Sequence, residues 1–306
     1  MRKKLHRFRN SYCLYSFKRD WGAIISFVVF MTLVILSMAS PIIAPYSPYD
    51  TSSIELMDAE IPPSWMEGGE ERFLLGTDIQ GRDLLSTMFY GMRLSVLIGC
   101  GAVLLQAFIG ILVGMISGYL GGKVDAFLMR IADVQLSFST MMVAIIISAI
   151  FQVAFGVGRY EELAAPLLII IIGFAEWPQY ARTVRASVLR EKSKEYVEAA
   201  RVIGLSPRRI RWRHILPNAL SPVLVISTIQ VANAVMSEAA LSFLGLGMPI
   251  TKPSLGSLIN AGFEYIFSGS WWITFFPGIL LVIFVLVVNL LGDWLRDVMN
   301  PKLYKG

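Results

Sequence analysis

The chain has 306 residues, of which 55% are hydrophobic and only 16% charged, and its formal net charge is +5. A soluble domain carries about a quarter charged residues, so this composition excludes an ordinary soluble protein. The charges are also clustered, which leaves long uncharged stretches. The composition therefore predicts a membrane protein whose spans can be located from those stretches.

The chain begins with a basic tail, residues 1–20, which precedes an uncharged stretch at residues 21–44. The first 19 residues contain seven Lys and Arg and no acid. A cleaved signal peptide is one alternative, because Ser37-Met38-Ala39 loosely resembles a cleavage site. However, the basic region is longer than usual, and the uncharged stretch exceeds the usual apolar core of about 7 to 15 residues. We therefore expect residues 21–44 to remain as the first transmembrane helix.

Four further stretches contain no Asp, Glu, Lys or Arg, and each is long enough for the roughly 20 residues that a transmembrane helix needs. They are residues 94–122, 134–158, 215–237 and 265–292. A sixth candidate, residues 163–182, is interrupted internally by Glu176. The predicted spans two to six are residues 93–119, 129–153, 163–182, 218–241 and 272–292. We expect an all-α polytopic membrane protein with six transmembrane helices.

The distribution of basic residues predicts the orientation, because Lys and Arg concentrate in short cytoplasmic loops. Within the loop at residues 45–92, the part from 45 to 82 holds two basic and eight acidic residues. Residues 182–213 hold ten basic and three acidic residues. We therefore expect both termini and the basic island, residues 183–216, in the cytoplasm and the 45–92 loop outside. Residues 93–304 would form the core of the protein.

The basic island predicts two short helices joined by a sharp turn. Tyr196, Ala199, Ala200 and Ile203 fall at helical spacing and predict one apolar stripe. Gly204 is placed to end the first helix in a left-handed conformation that other residues resist. We therefore expect a helix that stops at this glycine.

The second helix of the island has its own start signals. Ser206 suits the N-cap position and Pro207 the first turn, while Trp212, Ile215 and Leu216 form an apolar row. A loop resting on anionic headgroups would explain the arginines but not the small, apolar stripe of the first helix. A docking element for a cytoplasmic partner explains both features.

Charged residues within the predicted spans have two interpretations each. Glu238, near the outer end of span five, either lines a solute path or lies at the membrane interface. Glu176, together with Pro178, either lines the path or marks a kinked helix whose carboxylate faces the bundle interior. We expect Asp133 to pair with Arg130, one turn earlier in the same span.

Aromatic residues flank the predicted spans on the outer side. Trp65, Trp271 and Trp272 are most simply interfacial anchors, and contact with an external protein is the alternative. The segment 78–83 faintly suggests a calcium loop, but too few oxygen ligands stand at the required spacing. We expect no metal site.

Several motifs resemble one family. Glu198-Ala199-Ala200, three further residues, Gly204 and then Leu216-Pro217 resemble the coupling loop of permease subunits of ABC importers. His214 departs from that pattern, which usually has an aliphatic residue there. Stretches similar to the dipeptide, oligopeptide and nickel branch, closest to its C-type dipeptide permease, are Pro62–Trp65, Leu75–Asp83, Tyr90–Ser95, Ala239–Gly247, Ser270–Trp272, Asn289–Asp297 and Asn300–Lys302. The likeness covers about residues 15 to 304.

The resemblance implies a non-catalytic subunit of a peptide importer in the bacterial inner membrane. The implied partners are a second homologous permease, two cytoplasmic ATPases that use ATP and Mg²⁺, and an external solute-binding protein; no cofactor and no nucleic acid would bind this chain. Glu198 would make a polar contact to the ATPase and Gly204 would form the turn, with Ala199, Ala200, Leu216 and Pro217 completing the coupling loop.

The missing energy source agrees with this resemblance. The chain has no phosphate-binding loop, since Gly121–Val124 lacks the hydroxyl that would bind Mg²⁺, and it lacks the dense intramembrane carboxylates of a proton-driven pump. A partner that hydrolyses ATP is therefore expected. The alternative is an autonomous channel or secondary carrier whose basic island is only a membrane-surface anchor.

Overall fold

The computed structural model describes residues 12–50 and 54–299, and within them regular secondary structure is helical apart from one isolated β-bridge between Thr77 and Asp83. Residues 1–11 of the basic tail and the 300–302 motif lie outside the described residues. In chain order the helices are α1 (Tyr12–Arg19), α2 (Trp21–Met38), α3 (Ser40–Ile43), a 3₁₀ turn (Leu56–Asp58), α4 (Leu84–Leu120), α5 (Gly122–Ser137), α6 (Thr140–Phe155), α7 (Val157–Lys192), α8 (Glu195–Val202), α9 (Pro207–Arg209), a π-helical turn (Ile210–Ile215), α10 (Leu216–Ala219), α11 (Ser221–Phe243), α12 (Leu255–Phe263) and α13 (Trp272–Val298).

Five of the described helices, α2, α4, α7, α11 and α13, are long and apolar enough to cross a membrane. The pair α5 and α6 makes a sixth span only if it counts as one crossing, because the chain bends by 85° between the two helices. The predicted third span, residues 129–153, falls in this bent pair, since it begins within α5 and ends within α6. The stretch 163–182, interrupted by Glu176, lies inside the continuous 36-residue helix α7.

The second span begins earlier than the uncharged stretch indicated. Helix α4 starts at Leu84 rather than at residue 93, because Asp83 caps it by accepting a hydrogen bond from the backbone N–H of Ser86 at 2.8 Å. Burial raises the pKa of this capping carboxyl. The loop predicted at residues 45–92 is therefore nine residues shorter than expected.

Helices α4 and α7 form the central pair of the bundle. Three glycines of α4, each four residues apart, face α7 along one seam. A Cβ on Gly110 would lie 2.2 Å from Tyr180 Cβ, and one on Gly114 would lie 2.5 Å from the carbonyl oxygen of Ala181. Small residues at such a seam let two helix backbones approach closely inside a membrane. The four-residue spacing of these glycines therefore lets α4 and α7 pack closely along this seam.

The remaining spans surround this pair. Met92 of α4, Val235 of α11 and Phe284 of α13 share one buried cluster. Helix α2 lies against α13, where the rings of Phe30 and Phe284 are 6.1 Å apart. The bundle ends in two polar regions, one at residues 54–83 with 244–270, called the cap here, and one that follows α7.

Candidate functional site

The region after α7 is a folded hairpin, residues 195–219, and its first helix ends as the sequence predicted. Gly204 has φ +83°. Its N–H donates to the carbonyl of Arg201 at 2.9 Å, and the N–H of Leu205 donates to the carbonyl of Ala200 at 3.1 Å. These two bonds are the Schellman pattern that ends helices at a left-handed residue. The left-handed turn at Gly204 is therefore confirmed.

The second half of the hairpin begins as predicted but is not one regular helix. The Ser206 hydroxyl caps it by accepting a hydrogen bond from the N–H of Arg209 at 3.4 Å, and Pro207 is its first residue. A π-helical turn follows, after which α10 carries Pro217 in its first turn. The predicted N-cap is confirmed, whereas the single regular second helix is replaced by three short segments.

Polar contacts hold the base of the hairpin to the end of α7. The Tyr196 hydroxyl donates to Glu191 Oε2 at 2.8 Å, and the side-chain amide of Asn218 donates to the carbonyl of His214 at 2.8 Å. Burial, together with the bond to the Glu191 carboxylate, raises the pKa of the Tyr196 phenol. His214, whose role the sequence left open, thus contributes its backbone carbonyl.

The buried face of α8 differs from the predicted stripe. Val197 and Ala200 are buried, whereas Ala199 is exposed and Ile203 is 77% exposed. Tyr196 is half-buried, as the stripe required. The exposure of Ile203 arises because α8 ends at Val202, so that the chain already turns away from the packed side there. The side chains that pack between the hairpin segments are Val197, Ala200, Ile210, Ile215 and Ala219.

The hairpin leaves a mixed surface exposed at its tip. Val202 is 88% exposed and Ile203 is 77% exposed, and Glu198 is exposed on the preceding turn. Pro217 is exposed and Leu216 is half-buried near the hairpin base. The apolar tip was not identified from the sequence. Its signal was the adjacent apolar pair Val202-Ile203 immediately before Gly204, the residue that ends the helix.

The hairpin is also joined to the end of α4. The Arg211 guanidinium lies 5.1 Å from the centre of the Tyr119 ring, and Lys192 Nζ lies 5.5 Å from it. Lys192 Nζ also donates to the carbonyl of Tyr119 at 2.6 Å. Cations held over an aromatic face are attracted to it. Through Arg211 on Tyr119 and Tyr196 on Glu191, the hairpin contacts the ends of both members of the central helix pair.

A groove of about 820 Å³ opens beside the hairpin between α7, α11 and α13. Its walls include Arg190 of α7, Asn218 of α10, Ile229 of α11 and Arg296 of α13. Farther along the same side of α11, Asn233 and Met236 are exposed. One face of α11 is thus left uncovered by residues 12–50 and 54–299, the part of the chain that the structure describes.

Glu176 lies in a buried hydrogen-bonded chain of amides. The side-chain amides of Gln230 and Gln106 donate to its Oε2 at 3.2 and 3.5 Å. Asn233 donates to Gln230 Oε1 at 2.9 Å, and Asn233 itself is exposed on α11. Pro178 stands within α7 without ending it. The carboxylate therefore faces the bundle interior and is connected to the open face of α11.

Glu238 is fully buried between three elements. Its carboxylate accepts hydrogen bonds from the hydroxyls of Ser95 and Ser242, both at 2.7 Å. Those hydroxyls in turn accept from the backbone N–H groups of Leu255 and Met248. Glu238 thus ties α4 and α11 to the start of α12.

The three tryptophans lie in different environments, Trp65 within the cap and Trp271 and Trp272 next to it. Trp65 is 59% exposed and Trp271 is 37% exposed, and both stack edge-on or tilted on Phe276. Trp272 is only 5% exposed, because its ring packs below the cap and its Nε1 donates to the carbonyl of Thr77 at 3.2 Å. The surface role expected for all three is thus available to Trp65 and Trp271, while Trp272 is an interior residue.

Two further expectations concern charged groups. Asp133 does not pair with Arg130 but with Arg182 of α7, at 2.5 Å, because α5 lies across α7. Asp78 uses its carboxylate to bind the Arg82 guanidinium at 2.6 Å and two N–H groups of its own turn. Among the described residues, no group of three His, Cys, Asp or Glu side chains is arranged to hold a metal ion.

Fold and site together define a multi-pass helical membrane protein of the permease class. Residues 110–305 match the family model described as "Binding-protein-dependent transport system inner membrane component", and residues 12–63 match the N-terminal TM domain of oligopeptide transport permease C. The chain belongs to the family of binding-protein-dependent transport system inner membrane components. The resemblance to ABC importer permeases is therefore confirmed, and the chain is a multi-pass inner-membrane protein.

Curated relatives cover nearly the whole chain. A di/tripeptide transport system permease protein DppC of Pseudomonas aeruginosa (strain UCBPP-PA14) is 36% identical over 288 residues, which are 94% of this chain and 90% of the relative. The dipeptide transport system permease protein DppC of Escherichia coli (strain K12) is 38% identical, over 94% of this chain and 91% of its own.

A solved amino acid ABC transporter shares the fold, with a TM-score of 0.52 and 13% identity over 70% of this chain and 94% of that chain.

Proposed function

We propose that this chain is one of two permease subunits of an ABC importer for di- and tripeptides, and that its hairpin docks a cytoplasmic ATPase. The observation that carries the proposal is the tip of the hairpin, where Glu198, Val202 and Ile203 are exposed on a base fixed by buried side chains. An exposed apolar patch beside a polar group is typical of a protein-binding surface. The names of the curated relatives support the substrate class.

The proposed complex contains a second homologous permease, two cytoplasmic ATPases and an external solute-binding protein. ATP and Mg²⁺ bind the ATPases, since this chain has no phosphate-binding loop. The termini and the hairpin lie in the cytoplasm, and the cap lies outside. The support for this orientation is the excess of ten basic over three acidic residues at 182–213.

Each residue of the coupling loop has a proposed role. Glu198 makes a polar contact with the ATPase, and Ala199, being small and exposed, lets the partner surface approach α8 closely. Ala200 holds α8 on the hairpin base, and Gly204 provides the turn. Leu216 and Pro217 start α10, which leads into α11.

The contacts of the hairpin suggest how ATP hydrolysis moves the spans. A force on the tip passes to α7 through Tyr196 and Glu191 and to α4 through Arg211 and Tyr119. Helix α11 follows directly, because it continues from the hairpin with only Leu220 between α10 and α11. These helices would therefore rotate together when the ATPases close, which would exchange inward for outward access.

The open face of α11 is the side on which the second permease would complete the solute path. Glu176 would serve this path through Gln230 and Asn233, which connect its carboxylate to that face. Glu238 would act at the cap end of the path by holding α4, α11 and α12 together. Trp65 and Trp271 would contact the solute-binding protein.

Reconstitution tests the proposal. The complete importer in proteoliposomes should transport a labelled dipeptide only when ATP is present on the side of the membrane where the ATPases lie. Glu198→Lys should abolish that uptake while the permease pair remains inserted. Glu67→Lys, which makes the same charge change on an exposed residue of the cap, serves as the matched control. Dipeptide uptake by this chain without ATPases would establish an autonomous carrier and contradict the proposal.

A further inference from the structure

Helix α5, residues 122–137, presents three different faces. On the first face Ala132 is fully buried and packs with Met129 against α4 and α7, where Val113 and Ala181 lie. A helix of 16 residues held on one face leaves two other faces to be accounted for. Neither contributes to the hairpin or to the groove beside it.

The second face is an exposed apolar row. Val124, Phe127, Ile131 and Val134 recur every three or four residues, and their side chains are between 42% and 67% exposed. At about 100° per residue these four positions fall on one side of the helix. Nothing else in the described part of this chain covers that side.

The third face is polar and lies on the other side of the packed face. Its polar members are Lys123, Arg130, Asp133 and Ser137, and the small residue Ala126 lies among them. Counting about 100° per residue, the apolar and the polar faces are each rotated by roughly 120° from Ala132, in opposite directions. The helix thus presents apolar side chains on one side of its attachment to the bundle and polar side chains on the other.

The direction of α5 explains this division. It is bent by 85° from α6, which packs on α7. Asp125 and Asp133, about 12 Å apart along α5, pair with Arg185 and Arg182, which are only about 4.5 Å apart along α7. Helix α5 therefore runs across the membrane-spanning helices rather than along them.

The level at which α5 crosses is also defined. Arg182 and Arg185 are the first basic residues after the long apolar part of α7, and the basic hairpin follows them. Basic side chains at this point of a span mark the boundary between hydrocarbon and headgroups. Helix α5 therefore lies at this boundary.

We propose that α5 is an interfacial helix that lies in the plane of the membrane. Val124, Phe127, Ile131 and Val134 contact lipid acyl chains, and Arg130 with its neighbours on the polar face contacts headgroups and water. A helix with aromatic and aliphatic residues on one side and basic residues on the other is the type that binds in this way. The assignment of α5 to the cytoplasmic leaflet rests on the orientation proposed above. Its depth at the level of the headgroups does not depend on that orientation.

The lipid contact has a mechanical consequence. Helix α5 is bonded to the ends of α4 and α7 through Asp125, which accepts hydrogen bonds from Ser117 and Arg185. These are the helix ends that the hairpin also contacts. A helix held at the headgroup level would therefore fix the height of the central pair while the hairpin moves.

Spin labels at single cysteines test this placement. The assembled importer, with Cys13→Ala and Cys100→Ala as background, is reconstituted in phosphatidylethanolamine and phosphatidylglycerol vesicles, and nitroxides are attached after Phe127→Cys, Ile131→Cys, Ala126→Cys or Arg130→Cys. The ratio of collision rates with oxygen and with a water-soluble nickel chelate should be severalfold higher at 127 and 131 than at 126 and 130. Ala132→Cys, a buried position, is the control that should show low rates with both.

Two results would overturn the proposal. Low collision rates with both reagents at 127 and 131 would mean that a protein partner covers this face. High rates with the nickel chelate there would mean that the face lies in water. If dipeptide uptake failed while the oxygen pattern appeared as described, the proposed substrate would be rejected and the interfacial helix would stand.

Discussion

The two polar ends of the bundle use glycine for different purposes. In the cap, Gly81 has φ +79° and a Cβ there would lie 2.2 Å from the carbonyl oxygen of Glu55. In the hairpin, Gly204 has φ +83°, yet a Cβ there would meet nothing within 4 Å. The cap glycine therefore serves both a backbone turn and a close approach. The hairpin glycine serves only the turn, and it leaves open space around itself.

The charged and apolar groups at the two ends differ in the same way. The cap encloses its Asp78–Arg82 ion pair, whose side chains are 1% and 3% exposed, and it buries Trp272. The hairpin exposes Val202 and Ile203. The cap is thus closed upon itself, whereas the hairpin is a folded element with a surface suited to a second protein.

The largest effect is expected from breaking the cap. Asp78→Ala leaves the Arg82 guanidinium buried without its carboxylate, which should lower the free energy of unfolding by about 3–5 kcal/mol. Thermal unfolding of the purified protein in detergent measures this loss. Glu70→Ala, which breaks the exposed pair between Arg72 and Glu70 in the same region, should leave the melting temperature nearly unchanged. Equal shifts for the two variants would show that the cap is not closed.

A smaller effect is expected from the turn of the hairpin. Gly204→Val forces a branched residue into the left-handed region, at a cost of about 1–2 kcal/mol, and should disorder the hairpin tip and reduce ATP-driven uptake. Gly204→Asn should retain most uptake, because asparagine tolerates this conformation. If Val and Asn supported uptake equally, the left-handed turn would have no role in coupling.

The smallest effect on the chain itself is expected from the exposed tip. Ile203→Ser should change the free energy of unfolding by less than about 0.5 kcal/mol, since the side chain is 77% exposed. It should weaken ATPase binding by about tenfold, because the contact buries less apolar area. Titration of the purified permease pair with the ATPase measures the affinity. Ile210→Ser, at a buried position of the same hairpin, should instead reduce stability, and a reversed order would contradict the assignment of the tip.

Local signals predicted the turn and cap residues of the hairpin. Gly204 and Ser206 act through hydrogen bonds to residues no more than five positions away, so the sequence contains the whole interaction. The uncharged stretches that form α2, α4, α11 and α13 were also predicted from the sequence, because the absence of charge is itself a local property. Packing partners were harder to predict. Asp133 was expected to pair within its own helix, but its partner is Arg182 of α7, which lies 49 residues later in the sequence.

The missed features share a physical cause. An uncharged stretch such as 134–158 reports only that its residues tolerate lipid, and contains no information about the 85° bend between α5 and α6. Likewise, the predicted apolar stripe of α8 assumed that the helix continues through Ile203. The helix ends one residue earlier, at Val202, and Ile203 is exposed. Arg93 set the N-terminal limit of the second uncharged stretch, although helix α4 begins nine residues earlier, at Leu84. Charge patterns therefore locate spans but not their ends or angles.

Accessibility of the hairpin tip tests the central claim most directly. With the native cysteines replaced, Ile203→Cys should react rapidly with a water-soluble maleimide in the permease pair alone, since the position is 77% exposed. Addition of the ATPases at about ten times their dissociation constant should slow this reaction by about tenfold, because only the unbound fraction of the permease then reacts. Labelling at Glu67→Cys in the cap should be unaffected. An unchanged rate at position 203 in an importer that is active in uptake would contradict docking at the hairpin tip.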